Sequence, residues 1–203
     1  MGVSGTADSV AVAGVPHFLG SGAILIAAIP GALLLFETLW RRSALEDVAR
    51  QPGGWMGAVV MAACSAVAHE LLHGAGWMAI ARVPRSAIAF RPTWRGMGVA
   101  ARLEAAVPAR AYRAGVALPA LVLGALAVAI GMGTGNGLFV LWGTFFLLEC
   151  YTDFAVLLAT GRVPGGALVR EDPERLGCRV TVDAVPLTRA AGPMDRRGKG
   201  LHS

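Results

Sequence analysis

Four long apolar segments restrict how this chain can fold more than any other feature of its sequence. They cover residues 17–40, 55–81, 112–132 and 138–160. Each is close to or longer than the roughly 20 residues that a helix needs to cross the hydrocarbon core of a membrane. Pro30 and Pro119 interrupt two of them, which membrane helices tolerate because neighbouring helices satisfy the freed carbonyls. The segments predict an all-α integral membrane protein with about four transmembrane helices.

Charge is scarce in this chain, and it points to lipid rather than nucleic acid. Charged residues make up 15% of the sequence, against about 25% in soluble domains. The net charge is +5, but the basic residues are not interleaved with aromatic side chains and form no nucleic-acid recognition module. Three cysteines at scattered positions are an odd number, which excludes a disulfide framework.

The basic residues also predict how the helices are oriented. Three lie between the first and second apolar segments, seven lie from Arg82 to Arg113, and eight follow Thr160. With four spans, the second connection and the C-terminal tail share a side, which the positive-inside rule assigns to the cytoplasm together with both termini. Residues 1–16 contain no Lys or Arg, so we expect the first segment to be a retained span rather than a cleaved signal peptide.

Two polar stretches carry weaker patterns. Residues 82–113 contain SAIAF, TWRGMG and VAARLEA, which predict a short hairpin near the membrane surface whose edge strand could hold an extended substrate. An amphipathic or irregular basic loop on lipid headgroups is an equal alternative. We expect residues 1–180 to form one polytopic domain. Residues 181–203 are polar and rich in Gly and Arg, so we expect a flexible cytoplasmic tail.

Acidic residues lie inside the apolar segments, where a carboxylate has to be protonated, paired or bound to a metal. They are Glu37, Glu70, Glu149 and Asp153. Glu37 is close to Trp40 and Arg41 at the end of the first segment, which predicts an interfacial carboxylate. His17, at the start of that segment, is also expected at the interface.

The stretch HELLH, residues 69–73, carries the most specific pattern in the chain. On a helix, His69 and His73 lie about 40° apart and one turn from each other, so both imidazoles can reach one ion. Glu70 lies about 60° round from His73, beside the ion rather than on it. H-E-x-x-H on a helix is the zinc metallopeptidase signature for this reason, with the glutamate as general base. A polar cluster that hydrogen-bonds between helices is the alternative interpretation.

A catalytic zinc site usually has three protein ligands, and Asp153 is the predicted third. His73 lies nine residues before Arg82, and Asp153 lies nine before Arg162. Both are therefore on the order of 13 Å from the cytoplasmic border of their helices. Glu149, one turn deeper, is a candidate outer partner of a ligand or a proton acceptor, and a protonated packing residue is an equal alternative. Cys150 could bind only a soft ion.

Three segments resemble a family of small prokaryotic membrane proteins known as putative zincin peptidases, distant relatives of the site-2 intramembrane metalloproteases. They are HELLHG at 69–74, YTDFAVLLATGRVPGGALVRED at 151–172 and PERLGCRV at 173–180. The resemblance covers roughly residues 55–180. It implies that His69, His73 and Asp153 bind one zinc ion per chain and that Glu70 is the catalytic acid/base. Asp153 is followed by Phe154, whereas site-2 proteases have an Asp-Gly pair.

These observations favour an intramembrane zinc metalloprotease of the prokaryotic plasma membrane. Its expected partners are membrane lipid and a membrane-protein or peptide substrate, with no nucleic acid. A non-catalytic metal-binding membrane protein is one alternative, but it would not need Glu70. A small ion or proton transporter is another, but its acidic residues should lie along a path across the bilayer, whereas here they cluster at one depth.

Overall fold

A computed structural model describes residues 9–11, 17–93, 98–172 and 177–180. Its helices are α1 (His17–Trp40), α2 (Ala44–Arg50), α3 (Gly54–Ile80), α4 (Ala109–Pro119), α5 (Leu126–Thr134), α6 (Gly137–Glu149) and α7 (Tyr151–Thr160). Its strands are β1 (Ser9–Ala11), β2 (Ile88–Thr93), β3 (Gly98–Leu103), β4 (Val107–Pro108), β5 (Leu168–Glu171) and β6 (Gly177–Val180). A single 3-10 turn, Arg85–Ala87, precedes β2, and a π-helical segment, Ala120–Ala125, joins α4 to α5.

All the helices except α2 coincide with the four apolar segments, and they indicate a membrane protein. Among the described residues, α3 and the continuous helical stretch Ala109–Thr134 are long and apolar enough to cross a membrane. The pair α6 and α7 makes a third span if the two are counted together. The apolar part of α1 found by the same criterion is shorter, Ile29–Trp40. Two to three helices are therefore long and apolar enough to span a membrane, and the arrangement of four spans stays a prediction.

The two ends of α3 have different surroundings. Its N-terminal half exposes large apolar side chains such as Met56 and Val59, at 71% and 63%, as expected of a helix in contact with lipid. Its buried residues lie near the C-terminal end and include His73, Gly74 and Trp77. The interior of the protein therefore meets α3 at the turns that carry the HELLH stretch.

The fourth apolar segment is broken rather than straight. Its two halves, α6 and α7, meet at Cys150 and are bent by 50°. Cys150 is fully buried and has φ −73° and ψ 11°, outside the helical well. We predicted an uninterrupted span, with Glu149 and Asp153 on one helical face. This prediction was wrong, because the segment bends at Cys150. Neither Pro nor Gly marks the bend, so the sequence pattern could not reveal it.

The chain is mostly helical, as predicted, but it contains a second sheet besides the hairpin, so it is not all-α. Strands β2 and β3 form an antiparallel hairpin in register from Ile88↔Leu103 to Thr93↔Gly98. This confirms the predicted hairpin over the alternative of an irregular loop, although residues 94–97 of its turn lie outside the described residues. A second antiparallel sheet has the order β1-β6-β5-β4. Its strands have two to four residues each, too few for a visible alternation of apolar and polar residues.

The main apolar core lies beside the predicted metal-binding residues. Its buried members come from α3, α4, α7, the hairpin and the four-stranded sheet, and include Trp77, Tyr112, Val156, Leu103 and Val169. The core therefore fixes the C-terminal end of α3 against the elements around it. The predicted tail, residues 181–203, lies outside the described residues.

Candidate metal centre

Two glycines allow α3 and α4 to pack closely next to the HELLH stretch. A Cβ atom on Gly76 would lie 3.1 Å from Gly115 Cα, and a Cβ atom on Gly115 would overlap the indole ring of Trp77. Any larger residue at position 115 would therefore push the two helices apart. This close approach brings the carbonyl oxygen of Gly115 to 3.1 Å from Nδ1 of His73.

The Gly115 carbonyl orients the His73 ring. A carbonyl oxygen can only accept a hydrogen bond, so Nδ1 of His73 carries the proton and donates it. The other ring nitrogen, Nε2, then has a free lone pair in the neutral ring. The ring is 6% exposed and stacks on Trp77 with the centroids 5.6 Å apart. His73 is thus held with Nε2 pointing away from α4.

Three residues from α3 and α7 converge here and bring four potential donor atoms together, because both oxygens of Asp153 face the imidazoles. His73 Nε2 lies 3.1 Å from His69 Nε2 and 3.4 Å from Asp153 Oδ1, and His69 Nε2 lies 3.2 Å from Asp153 Oδ2. Four-coordinate zinc takes such ligands at about 2.0–2.1 Å, which puts tetrahedral donors roughly 3.3–3.4 Å apart. The observed separations are close to this spacing, with His73 measured to one oxygen of Asp153 and His69 to the other. We refer to His69, His73 and Asp153 as the triad.

The Asp153 carboxylate has an unmet requirement that a cation would satisfy. Its Oδ2 atom is buried and accepts no hydrogen bond from the described residues, although His69 Nε2 lies nearby. A buried carboxylate oxygen without a donor or a counter-ion is strongly disfavoured. Two imidazoles and one carboxylate are also a donor set that zinc commonly uses in enzymes. The triad therefore fits a zinc ion.

Glu70 lies outside the triad and connects α3 to the hairpin. Its Oε2 atom accepts a hydrogen bond of 2.6 Å from the backbone nitrogen of Ala101, in β3. The amide of Glu104 donates to Ala87, on the side of β3 that faces β2. Successive amides of a strand point to opposite sides, so the Ala101 amide, three residues earlier, lies on the edge of β3 that faces away from β2. The predicted catalytic residue is thus fixed against the open edge of a strand.

A second carboxylate accepts a hydrogen bond from the next amide on the same edge. Glu171 Oε2 accepts a hydrogen bond of 2.9 Å from the backbone nitrogen of Leu103, and Glu171 Oε1 forms an ion pair of 2.8 Å with Arg102. Two backbone amides on the open edge of β3 therefore donate hydrogen bonds to acidic side chains of the protein itself. Sequence reasoning did not identify Gly115, Ala101 or Glu171, because only the tertiary fold brings them to the site.

We expect stability to depend on the ionisation of Glu171. Burial raises its pKa above the usual value of 4.5, against the opposing effects of the Leu103 amide and Arg102. A carboxyl whose pKa rises on folding holds its proton more tightly in the folded state, so its contribution to the free energy of unfolding falls as the pH rises above 4.5. Glu171→Gln removes this dependence.

Thermal unfolding in detergent, from about pH 5 to about pH 8, should therefore show Glu171→Gln gaining stability relative to wild type as the pH rises. Glu104→Gln is the matched control, because Glu104 pairs with Arg91 on the exposed face of the hairpin. A stability difference between Glu171→Gln and wild type that is constant over this range would contradict the expectation.

The other predicted residues lie apart from the triad. Glu149, at the end of α6, is exposed, and its role as an outer partner stays a prediction. Glu37 in α1 is half-buried. Cys150 contacts the ring nitrogen of His69 that faces away from the triad, with Sγ 3.7 Å from Nδ1.

Comparison with known families identifies the chain. It matches the family described as "Putative zincin peptidase" over residues 62–168, just over half of its length. The matched region contains the triad and Glu70. Comparisons with curated proteins and with solved structures each give no match. The family predicted from HELLHG and the last helix is thereby confirmed, and the chain belongs to the putative zincin peptidase family.

Proposed function

We propose that the protein is a zinc metalloendopeptidase of the prokaryotic plasma membrane that hydrolyses membrane-embedded or membrane-proximal protein substrates. The convergence of the triad at zinc-like spacing, with an unpartnered carboxylate oxygen on Asp153, is the observation that carries the proposal. Membership of the family supplies the reaction class, a metallopeptidase. The two nitrogen ligands come from α3, the oxygen ligand comes from α7, and one ion is bound per chain.

Glu70 has the role of general acid and base in this proposal. A zinc ion bound by the triad would lower the pKa of water towards 7 and stabilise negative charge on a carbonyl oxygen. Glu70 takes a proton from the water that attacks the peptide carbonyl carbon and then gives a proton to the departing nitrogen. The products are a carboxylic acid and an amine, so the proton balance closes. The Ala101 amide holds the Glu70 carboxylate in one orientation.

The open edge of β3 is the proposed binding surface for the substrate backbone. A peptide carbonyl within a helix is already hydrogen-bonded, so the substrate has to be locally extended before it can react. An extended segment can pair with a strand edge through its main chain, and the β3 edge lies against Glu70. Glu70 and Glu171 already accept hydrogen bonds from the Ala101 and Leu103 amides of this edge. A segment that pairs at either position has to displace the side chain bound there.

The site is proposed to lie near the cytoplasmic surface of a protein with four spans and both termini in the cytoplasm. Helices α3 and α7 end at Ile80 and Thr160, just before Arg82 and Arg162. Arginines at the ends of spans mark the cytoplasmic side. Water would then reach the triad from the cytoplasm without crossing the bilayer.

Other functions have less support. A protein that only binds a metal has no need for Glu70 beside the triad. A transporter needs polar groups along a path, and the described residues contain one convergent set of potential ligands, the triad itself. Neither alternative accounts for a glutamate that directly follows His69 in the sequence and whose carboxylate is held against a strand edge.

Removal of the metal tests the proposal directly. We expect the full chain purified in detergent to contain about one zinc ion per molecule, since the triad is complete within one chain. A chelator should abolish cleavage of transmembrane peptides that the wild type cleaves, and added zinc should restore it. Magnesium is the control and should not restore cleavage, because it prefers an octahedral shell of oxygen ligands. Cleavage that survives complete loss of zinc would exclude the proposed function.

A further inference from the structure

Cys150 contacts His69 of the triad, although it supplies none of the converging donor atoms. Its side chain is fully buried. Its Sγ atom lies 3.7 Å from Nδ1 of His69. A small apolar residue would fill this place equally well if only packing mattered. The contact between the thiol and the His69 ring therefore needs another explanation.

The two imidazoles of the triad are arranged in the same way. His73 turns Nδ1 to the Gly115 carbonyl and Nε2 to the triad. His69 turns Nδ1 to the Cys150 sulfur and Nε2 to the triad. A histidine that binds a metal through one ring nitrogen nearly always donates a hydrogen bond from the other, and this bond fixes the ring and the tautomer. The Cys150 sulfur is the Nδ1 partner of His69, as the Gly115 carbonyl is the Nδ1 partner of His73.

The bend in the fourth apolar segment fixes the position of the thiol. The Cys150 amide donates to Phe146 in α6, and the Phe154 amide of α7 donates to the Cys150 carbonyl, both at 3.0 Å. Asp153 is in the first turn of α7, three residues after the thiol. One local backbone arrangement therefore sets both a ligand and the group that contacts the neighbouring ligand.

We propose that Cys150 is a positioning residue of the metal centre: its sulfur accepts a hydrogen bond from Nδ1–H of His69 and so keeps Nε2 free for zinc. The inference rests on the proposed function, because it needs the triad to bind the ion. Sulfur is a weak acceptor that is easily buried, so it can orient the ring without adding a second charge next to Asp153. The thiol lies behind the ring, on the side of Nδ1, which is the wrong side for a fourth ligand.

Metal affinity of the full chain in detergent tests this role. We expect Cys150→Ala to raise the zinc Kd by about 10- to 100-fold in competition with a chelator, the range typical for loss of an outer partner. Cys150→Ser should recover most of this loss, because a hydroxyl oxygen can accept the same hydrogen bond. Cys64→Ala is the matched control, since Cys64 is an exposed thiol, and it should leave the Kd unchanged.

Spectroscopy separates a positioning residue from a ligand. The wild type loaded with cobalt(II) should lack the near-ultraviolet charge-transfer band of a cobalt–thiolate bond. Nitrogen NMR of the histidine rings in the zinc-loaded wild type should show His69 protonated at Nδ1. This measurement needs no variant, so an unprotonated Nδ1 would overturn the role even if Cys150→Ala does not fold, and the zinc Kd of Cys150→Ser tests the hydrogen bond itself.

Three results would overturn the inference: an unchanged Kd in a folded Cys150→Ala variant, a cobalt–thiolate band that disappears in Cys150→Ser, or an unprotonated Nδ1 on zinc-loaded His69. Failure of the wild type to bind zinc at all would instead exclude the proposed function. The two failures are therefore distinguishable.

Discussion

Glu70→Gln should bind zinc as wild type does and lose nearly all cleavage. Glutamine is nearly isosteric with glutamate, and its side-chain oxygen can still accept the hydrogen bond from the Ala101 amide, so the local structure is kept. The amide cannot take a proton from water. General acid and base groups typically contribute 10²–10⁴-fold, and we expect kcat to fall by about this factor. The readout is kcat on a peptide that the wild type cleaves, together with zinc content.

Glu104→Gln is the matched control for this variant. Glu104 follows β3, is exposed and pairs with Arg91, so it tests the loss of a hairpin carboxylate away from the triad. It should retain full activity. Unchanged cleavage by Glu70→Gln would exclude Glu70 as the base. Loss of zinc from Glu70→Gln would show that Glu70 supports the metal rather than the proton transfer.

The sequence was most informative where a pattern is local. HELLH predicts two imidazoles on adjacent turns, because helical spacing alone determines that relation. The helices formed over the four apolar segments for a similar reason, since a long apolar run in lipid has to satisfy its backbone internally. The hairpin β2–β3 was one of two alternatives that the sequence offered for this stretch, because both of its strands have six residues.

The outer contacts of the site are not local, and sequence reasoning missed them for that reason. His73 and Gly115 are 42 residues apart, and His69 and Cys150 are 81 apart. Glu171 reaches the Leu103 amide over 68 residues. Each contact depends on how α4, α7 or β5 packs against α3 and the hairpin. No spacing rule predicts such packing, so single-sequence reasoning could name candidate ligands but not the groups that orient them.

The bend at Cys150 shows how a small backbone change alters an interpretation. On an unbroken helix, Glu149 and Asp153 would lie on one face, with Glu149 one turn deeper and close enough to be a candidate outer partner of a ligand. In the structure, Glu149 ends α6 and is exposed, whereas the Asp153 side chain is only 13% exposed and contacts both imidazoles. The two carboxylates can therefore be separated by experiment.

Asp153→Asn should nearly abolish zinc binding, while Glu149→Gln should leave it intact. An amide is a poor zinc ligand, and loss of a direct ligand should exceed the roughly 10- to 100-fold cost of losing an outer partner. At free zinc of 100 times the wild-type Kd, binding stabilises the folded wild type by about 2.7 kcal/mol. A 100-fold weaker site would gain only about 0.4 kcal/mol at the same zinc concentration. The expected result is a large zinc-dependent rise in the unfolding temperature of wild type and Glu149→Gln, and almost none in Asp153→Asn. A full rise in Asp153→Asn would exclude Asp153 as a ligand, and a lost rise in Glu149→Gln would assign the third ligand to α6.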